Sequence, residues 1–165
     1  MSAPTPLPTA LAARELLEGL VGREVAVTVR GRGVDPARGL GATVAEYVDD
    51  QMQLAALVVA ELELAAAAGS AIGLVPAKEV EASVKYKEMS AAQLENFGEI
   101  CNVVASLFNA DDAPHLRFTT MHQPGAALPG DVAQWVTAHV ARLDLDCEVV
   151  GYGSGALSVV VVPRG

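Results

Sequence analysis

The stretch from Ser90 to Asn109 constrains the fold more than any other part of the chain. Ser90 and Gln93 form an S-x-x-Q pattern, a reciprocal capping box that marks a helix start. Leu94, Phe97, Cys101, Val104 and Phe108 then recur at steps of three or four, and Ile100 and Leu107 widen the stripe. An apolar stripe that broad has to be covered, so this helix must lie on something. The spacing predicts a helix over Ser90 to Asn109. What it lies on is announced by segments of period two. Glu24 to Arg30 alternates with Val25, Val27 and Val29 on one face. Ala42 to Val48 and Met52 to Ala60 read as strands joined in a hairpin at Asp49, Asp50 and Gln51. Leu116, Phe118 and Thr120 mark another strand. Leu143 to Gly151 and Ala156 to Val162 read as a last hairpin turned by Gly153, Ser154 and Gly155.

Further helices fall between these strands. Thr9 is suited to N-cap a helix reaching Val21, with Gly22 beyond its end. Glu61 to Ala68 is alanine-rich and helical, stopped by Gly69. Pro76 precedes a helical segment over Ala77 to Lys87, and Asp131 caps one reaching about His139. Residues 1–8 hold three prolines and no periodicity, so a disordered tail is expected before a single domain over 9–165. The order helix, strand, connection, hairpin runs from Thr9 to Ala60 and again from Ser90 to Val162. The expected architecture is an α+β, layered fold: two such halves share one mostly antiparallel sheet of about six strands, covered by helices.

Composition removes several functions. Acidic residues outnumber basic ones 20 to 11, for a net charge of −9. Neither nucleic acid nor an anionic lipid surface suits such a chain, because both need cations at the contact. No stretch supplies 18 uninterrupted apolar residues; Glu61, Glu63, Gly69 and Gly73 break the run from Leu54 to Leu74. No cationic segment precedes an apolar one at the start, so a cytoplasmic protein is expected. Cys101 and Cys147 lie in apolar runs and are read as buried, reduced thiols. His115, His122 and His139 lack ligand spacing, so no metal is expected on this chain. The Gly151 to Gly155 segment leads into a strand, which makes it a hairpin turn and not a phosphate loop. Ser154 and Ser158 lack the setting of a nucleophile elbow. Asp49-Asp50 and Asp111-Asp112 are ordinary at turns and helix ends.

The other side of the Ser90 helix is unusual. Glu95, Glu99, Asn102 and Ser106 follow at intervals of four, three and four, within roughly 60° of one another around the axis. Glu95 and Glu99 stand in like-charge register, and no base occurs from Ser90 to Asp112, whereas a stabilised surface would pair glutamate with lysine or arginine. Gly98 costs about 1 kcal/mol against alanine in a helix interior. A glycine beside the strip also lowers its relief, so another protein could approach closely. Composition and spacing alone leave a solvated face and a functional strip both open.

Within Leu94 to Val104, the run Glu99-Ile100-Cys101-Asn102 resembles the motif helix of the CheC/CheX/FliY phosphatases of bacterial chemotaxis. That family's pattern is Asp or Ser, three residues, Glu, two residues, Asn, about 22 residues, then Pro. Glu95, Glu99 and Asn102 stand at the first three positions, and Pro124 follows Asn102 after 21 residues. The layout from Thr9 to Val162 is similar as well. The resemblance implies a CheC-like fold and hydrolysis of the aspartyl phosphate on a CheY-type response regulator. Glu99 would engage the regulator's lysine and Asn102 would orient water, as the catalytic pair. Glu95, Ser106 and Pro124 would belong to the partner-binding surface. The regulator would supply the phospho-aspartate and Mg²⁺, so no cofactor is expected on this chain. Glu95 departs from the family's smaller residue, and the spacing to Pro124 is one short. Aligning Thr9 with Ser90 sets Glu18 against Glu99 but Val21 against Asn102, leaving a single site, as in the CheX type. That type implies a homodimer. The alternative is a catalytically silent binding or dimerisation module of a flagellar or signalling assembly.

Overall fold

The structure is a computed structural model and describes residues 3–164. Its elements follow the chain as α1 (Ala10–Val21), β1 (Val25–Val29), β2 (Ala42–Val48), β3 (Leu54–Glu61), α2 (Leu62–Ile72), α3 (Lys78–Tyr86), α4 (Ala91–Val104), a 3-10 turn (Ala105–Phe108), β4 (Arg117–His122), α5 (Gly130–Val136), β5 (Arg142–Val149) and β6 (Gly153–Val161). The six strands make one sheet in the order β1-β5-β6-β3-β2-β4, and every pairing is antiparallel.

That order carries the two-half reading further than the sequence did. Exchanging β1 with β4, β2 with β5 and β3 with β6 returns the same sheet reversed. The two halves are thus related by a pseudo-two-fold between β3 and β6. Each half donates its single strand to the other half's hairpin: β1 pairs with β5, and β4 pairs with β2. α1 and α4 are the equivalent helices of the two halves.

Alternation along the strands divides the core in two. Ala45, Tyr47, Val58, Leu145, Cys147, Leu157 and Val159 face the layer of α1, α2 and α4, with Val80 of α3 joining from outside. On the other face Val44, Leu57, Val59 and Val160 are covered by Val34 of the long loop and by Val132 and Val136 of α5. Ser158 is buried there and tied up in structure. Its Oγ accepts from the Val34 N–H at 2.8 Å and donates to Asp144 Oδ1 at 2.7 Å. Arg142 holds the same Asp144 carboxylate and reaches the Val136 and Ala138 carbonyls at the end of α5.

Several boundaries differ from the expectations, each for a tertiary reason. Gly69 does not stop α2, which runs on to Ile72; a Cβ at Gly69 would lie 2.6 Å from the Gln93 carbonyl oxygen, so glycine is there to let α4 approach. Gly153, Ser154 and Gly155 are not the turn but the start of β6. The turn falls at Val150 to Tyr152, and Gly155 is small because α2 crosses it, with Leu64 N 2.8 Å from where a Cβ would be. Pro129 holds the cap position of α5, leaving Asp131 in its first turn, and the helix ends at Val136, short of His139. The Ser90 helix leaves α geometry at Val104, and the last turn tightens. On β1, Val25 is buried but Val29 is 71% exposed, because the edge strand runs past its cover. The segment expected as a disordered tail lies against the body from Ala3 onward: Thr5 and Pro8 are buried, and the Ala3 N–H donates to the Asp112 carbonyl at 2.8 Å. Three prolines, whose φ is already fixed by the ring, lose little further entropy on docking. Residues 1 and 2 of that expectation lie outside the described residues.

Candidate functional site

The helix α4 is built as its capping box requires. Ser90 Oγ accepts from the Gln93 N–H at 3.1 Å, and Gln93 Oε1 accepts from the Ser90 N–H at 2.8 Å. Gln93 does more than cap. Its side chain is fully buried, accepts from Ser83 Oγ at 2.8 Å, and donates to Ser70 Oγ and to the Glu79 carbonyl. All of its polar atoms are thereby satisfied, and α4 is tied to α2 and α3 at its first turn. One turn on, Asn96 Nδ2 donates to the Gly69 carbonyl at 2.9 Å.

A second anchor sits at the far end. In a continuing α-helix the Ala105 N–H would reach the Cys101 carbonyl. It turns instead to the carbonyls of Asn102 and Val103, and the Tyr47 hydroxyl donates to Cys101 in its place. Tyr47 is fully buried on β2, its ring tilted against Phe108 at 5.2 Å and Phe118 at 5.8 Å. Burial pushes its phenol well above the ordinary value, so it remains a donor throughout the accessible pH range. Sequence reasoning missed Tyr47. A lone aromatic inside an apolar strand carries no local sign that its hydroxyl meets a helix carbonyl 54 residues away.

Between these anchors the polar strip faces outward. Glu95, Glu99 and Asn102 are all exposed on α4, and no hydrogen bond or ion pair among the described residues engages their side chains. At about 1.5 Å per residue, Glu99 and Asn102 are roughly 4.5 Å apart along the axis, and Glu95 lies about 6 Å beyond Glu99. Ser106 is exposed too, but it sits in the 3-10 turn, whose tighter winding of about 120° per residue carries it some 40° further round. The structure therefore groups Glu95, Glu99 and Asn102 and sets Ser106 at their margin. Pro124 is on another element: it follows β4 and packs on Gly41, with its Cβ 3.3 Å from where a Gly41 Cβ would be. Val103, 39% exposed, and Gly98 border the strip. The strip presents two carboxylates and a carboxamide on a stiff rod, a surface able to meet a cation and to accept from and donate to one water at once.

The chain's two thiols are buried. Burial raises the thiols of Cys101 and Cys147 to about 12, with Asp146 adding to the effect at Cys147. Native protein is expected to resist iodoacetamide at pH 8, with both thiols labelling once it is unfolded; labelling of native Cys101 would contradict its packing. The same shifts act on stability. A thiol that stays protonated in the folded chain while the unfolded chain has lost its proton favours unfolding. Stability should thus be unaffected by these groups below about pH 9 and fall from there toward about 12, by on the order of 1 kcal/mol per pH unit per thiol. Among the described residues no three His, Cys, Asp or Glu side chains gather as metal ligands, and no helix is long and apolar enough to cross a membrane. His122 pairs with Glu46 at 2.5 Å, while His115 and His139 are exposed.

Comparison with known proteins identifies the fold. No protein-family model and no curated protein matches the chain. Solved structures do. The chain is similar to FliY of Thermotoga maritima (TM-score 0.56, 16% identity, covering 90% of this chain and 81% of that one). It is similar to a chain of the FliG–FliM complex of H. pylori (TM-score 0.59, 8% identity, 92% and 85%). It is also similar to a chain of the CheX–CheY–BeF₃–Mg²⁺ complex of Borrelia burgdorferi (TM-score 0.51, 10% identity, 92% and 94%). The chain has the fold of the CheC/CheX/FliY group, which the FliM middle domain shares (TM-score 0.50, 12% identity, 92% and 86%).

Proposed function

We propose, from that fold and from the strip on α4, that the chain is a phosphatase of a phosphorylated CheY-type response regulator. The observation that carries the reading is the state of Glu99 and Asn102: one turn apart, exposed, without a side-chain partner among the described residues, and fixed on a helix anchored at both ends. An acyl phosphate is already activated, so the work left is to place a water in line and stabilise charge. The Asn102 carboxamide can accept a hydrogen bond from that water and donate to a phosphoryl oxygen without itself becoming charged. Water adds to phosphorus, the bond to the aspartyl oxygen breaks, and carboxylate and inorganic phosphate leave. Glu99 engages the regulator's lysine, and Mg²⁺ stays on the regulator. Glu95 and Ser106 form the rim of the contact, and Pro124 supports it from the loop after β4.

The FliM likeness favours a second reading, a silent docking module in a flagellar or signalling assembly. One assay separates the two. Purified chain is added in catalytic amount to a phosphorylated CheY-type regulator with Mg²⁺, and phosphate release is followed. Acceleration that vanishes in the double variant Glu99→Ala, Asn102→Ala supports the enzyme. Tight binding to the beryllofluoride-loaded regulator, with no change in the lifetime of its phosphate, would establish the docking module instead.

A further inference from the structure

We propose that Tyr47 is a positioning residue for Asn102, acting through the backbone carbonyl of Cys101. The proposal deepens the phosphatase reading and rests on it. Three observations meet at this point. The α geometry of the site helix ends within two residues of Asn102. The N–H that would bond the Cys101 carbonyl has turned to the Asn102 and Val103 carbonyls. The Tyr47 hydroxyl fills the place it left, from a ring locked between Phe108 and Phe118 on the central sheet.

The consequence is geometric. With the hydroxyl present, the carbonyl before Asn102 is fixed to the sheet, and the carbonyl of Asn102 itself accepts from Ala105. Without it, the Cys101 carbonyl is a buried acceptor lacking a partner. The cheapest repair is for the Ala105 N–H to swing back and continue the α-helix. That change frees the Asn102 carbonyl, unwinds the 3-10 turn, and re-aims the backbone from which the carboxamide projects. Glu99 and Glu95 lie on the N-terminal side of the clamp, where the Gln93 and Asn96 anchors still hold. Docking through the glutamates should therefore survive while water placement fails, and a displacement of about 1 Å suffices to cost on the order of a hundredfold.

The test is Tyr47→Phe, which keeps ring and volume and removes only the donor. The expected result is a kcat for regulator dephosphorylation lowered about thirtyfold, with KM and affinity for the beryllofluoride-loaded regulator within threefold of wild type. Amide exchange should change from Ala105 to Phe108, where the hydrogen bonds re-register, and remain unchanged from Leu94 to Ile100. Leu145→Val, a core change on β5 far from the carbonyl, is the control for lost stability and should leave kcat unchanged. Unchanged kcat in Tyr47→Phe, or an equal loss in the control, overturns the proposal. If Tyr47→Phe does not fold, 4-fluorophenylalanine at position 47 replaces it: the fluorine fills the space of the hydroxyl without donating, so the same loss of kcat is expected and wild-type kcat overturns the clamp. A wild-type chain that accelerates no hydrolysis fails the phosphatase reading itself. In that case exchange at Ala105 to Phe108 still reports whether the hydroxyl holds the turn.

Discussion

Asn102→Asp is expected to damage regulator dephosphorylation more than Asn102→Ala, although aspartate is nearly the same shape. Alanine removes the group that orients water and donates to the phosphoryl oxygen, a loss on the order of a hundredfold in single-turnover rate. Aspartate keeps an acceptor for the water but replaces the donor with a charge facing a phosphoryl dianion. At about 5 Å and an effective dielectric of about 20, each facing unit charge costs roughly 3 kcal/mol, which Mg²⁺ and the lysine offset only in part. Turnover should fall below detection, and binding to the beryllofluoride-loaded regulator should weaken as well, whereas Asn102→Ala leaves binding within a few-fold. Folding is a poor explanation for the difference, since position 102 is exposed. A negative charge near a helix C-terminus costs at most about 1 kcal/mol. An aspartate variant as active as the alanine variant would mean that residue 102 does not face the phosphoryl group.

The same electrostatics bear on docking. A chain of net charge −9 approaching an acidic metal site is repelled at long range, so association should speed up as salt screens that repulsion. In the proposed complex the short-range contact must then be made by opposite charge, which a glutamate at 99 facing a lysine would provide. Glu95 adds a second carboxylate about one turn away, where the family pattern has a smaller residue. In the proposed complex it would reach further from the helix axis and set the separation at which the two proteins close.

How much of this was readable from the sequence divides by the range of the forces involved. The caps at Thr9, Gly22 and Ser90 are local, and all three formed as read. The hairpin around Asp49 formed too, but with a longer turn than read: Met52 and Gln53 belong to it and β3 begins at Leu54, because the Asp49 carboxylate accepts from the Gln51 and Gln53 N–H groups and holds both inside the turn. The strip could be placed on the outside of α4 because its opposite face had to be core. What was not readable depended on a second element. Gly69 looks like a helix stop until α4 is laid across it, and Gly155 looks like a turn until α2 crosses β6. The α-helix ends at Val104 and not at Asn109, where a 3-10 turn takes over, and the hydroxyl that meets the Cys101 carbonyl there comes from Tyr47, on a strand far away in sequence. The exchange of β1 and β4 between the halves carries no signature in either strand. Glu99 and Asn102 could be grouped as a pair because they share a helix; Pro124 was named only through the resemblance, and the structure sets it after β4 against Gly41.

Two glycines in the same helical layer should answer the same substitution with opposite signs. Gly98 lies inside α4, and a Cβ there meets nothing within 4 Å. Gly98→Ala therefore gains helix propensity and restricts the unfolded chain, worth about 0.5–1 kcal/mol, or a Tm higher by about 1–4 °C. Gly69 lies inside α2, where alanine would bring the same propensity gain. Its Cβ, however, would sit 2.6 Å from the Gln93 carbonyl oxygen and 3.3 Å from the Gln93 C and Cα atoms, all backbone. No rotamer relieves that contact, so α4 must move off α2, and the bonds from Gln93 to Ser70 and from Asn96 to the Gly69 carbonyl stretch with it. Overpacking of that kind costs about 1–3 kcal/mol and can cancel the propensity gain several times over, for a Tm lower by about 2–8 °C. Activity separates the pair again. Gly69→Ala shifts the whole site helix and should lower kcat, whereas Gly98→Ala puts a methyl group at the border of the strip and should raise KM while kcat holds. Thermal melts and steady-state kinetics on the two variants decide it: a Gly69→Ala protein as stable as Gly98→Ala would show that the two helices do not meet at Gln93.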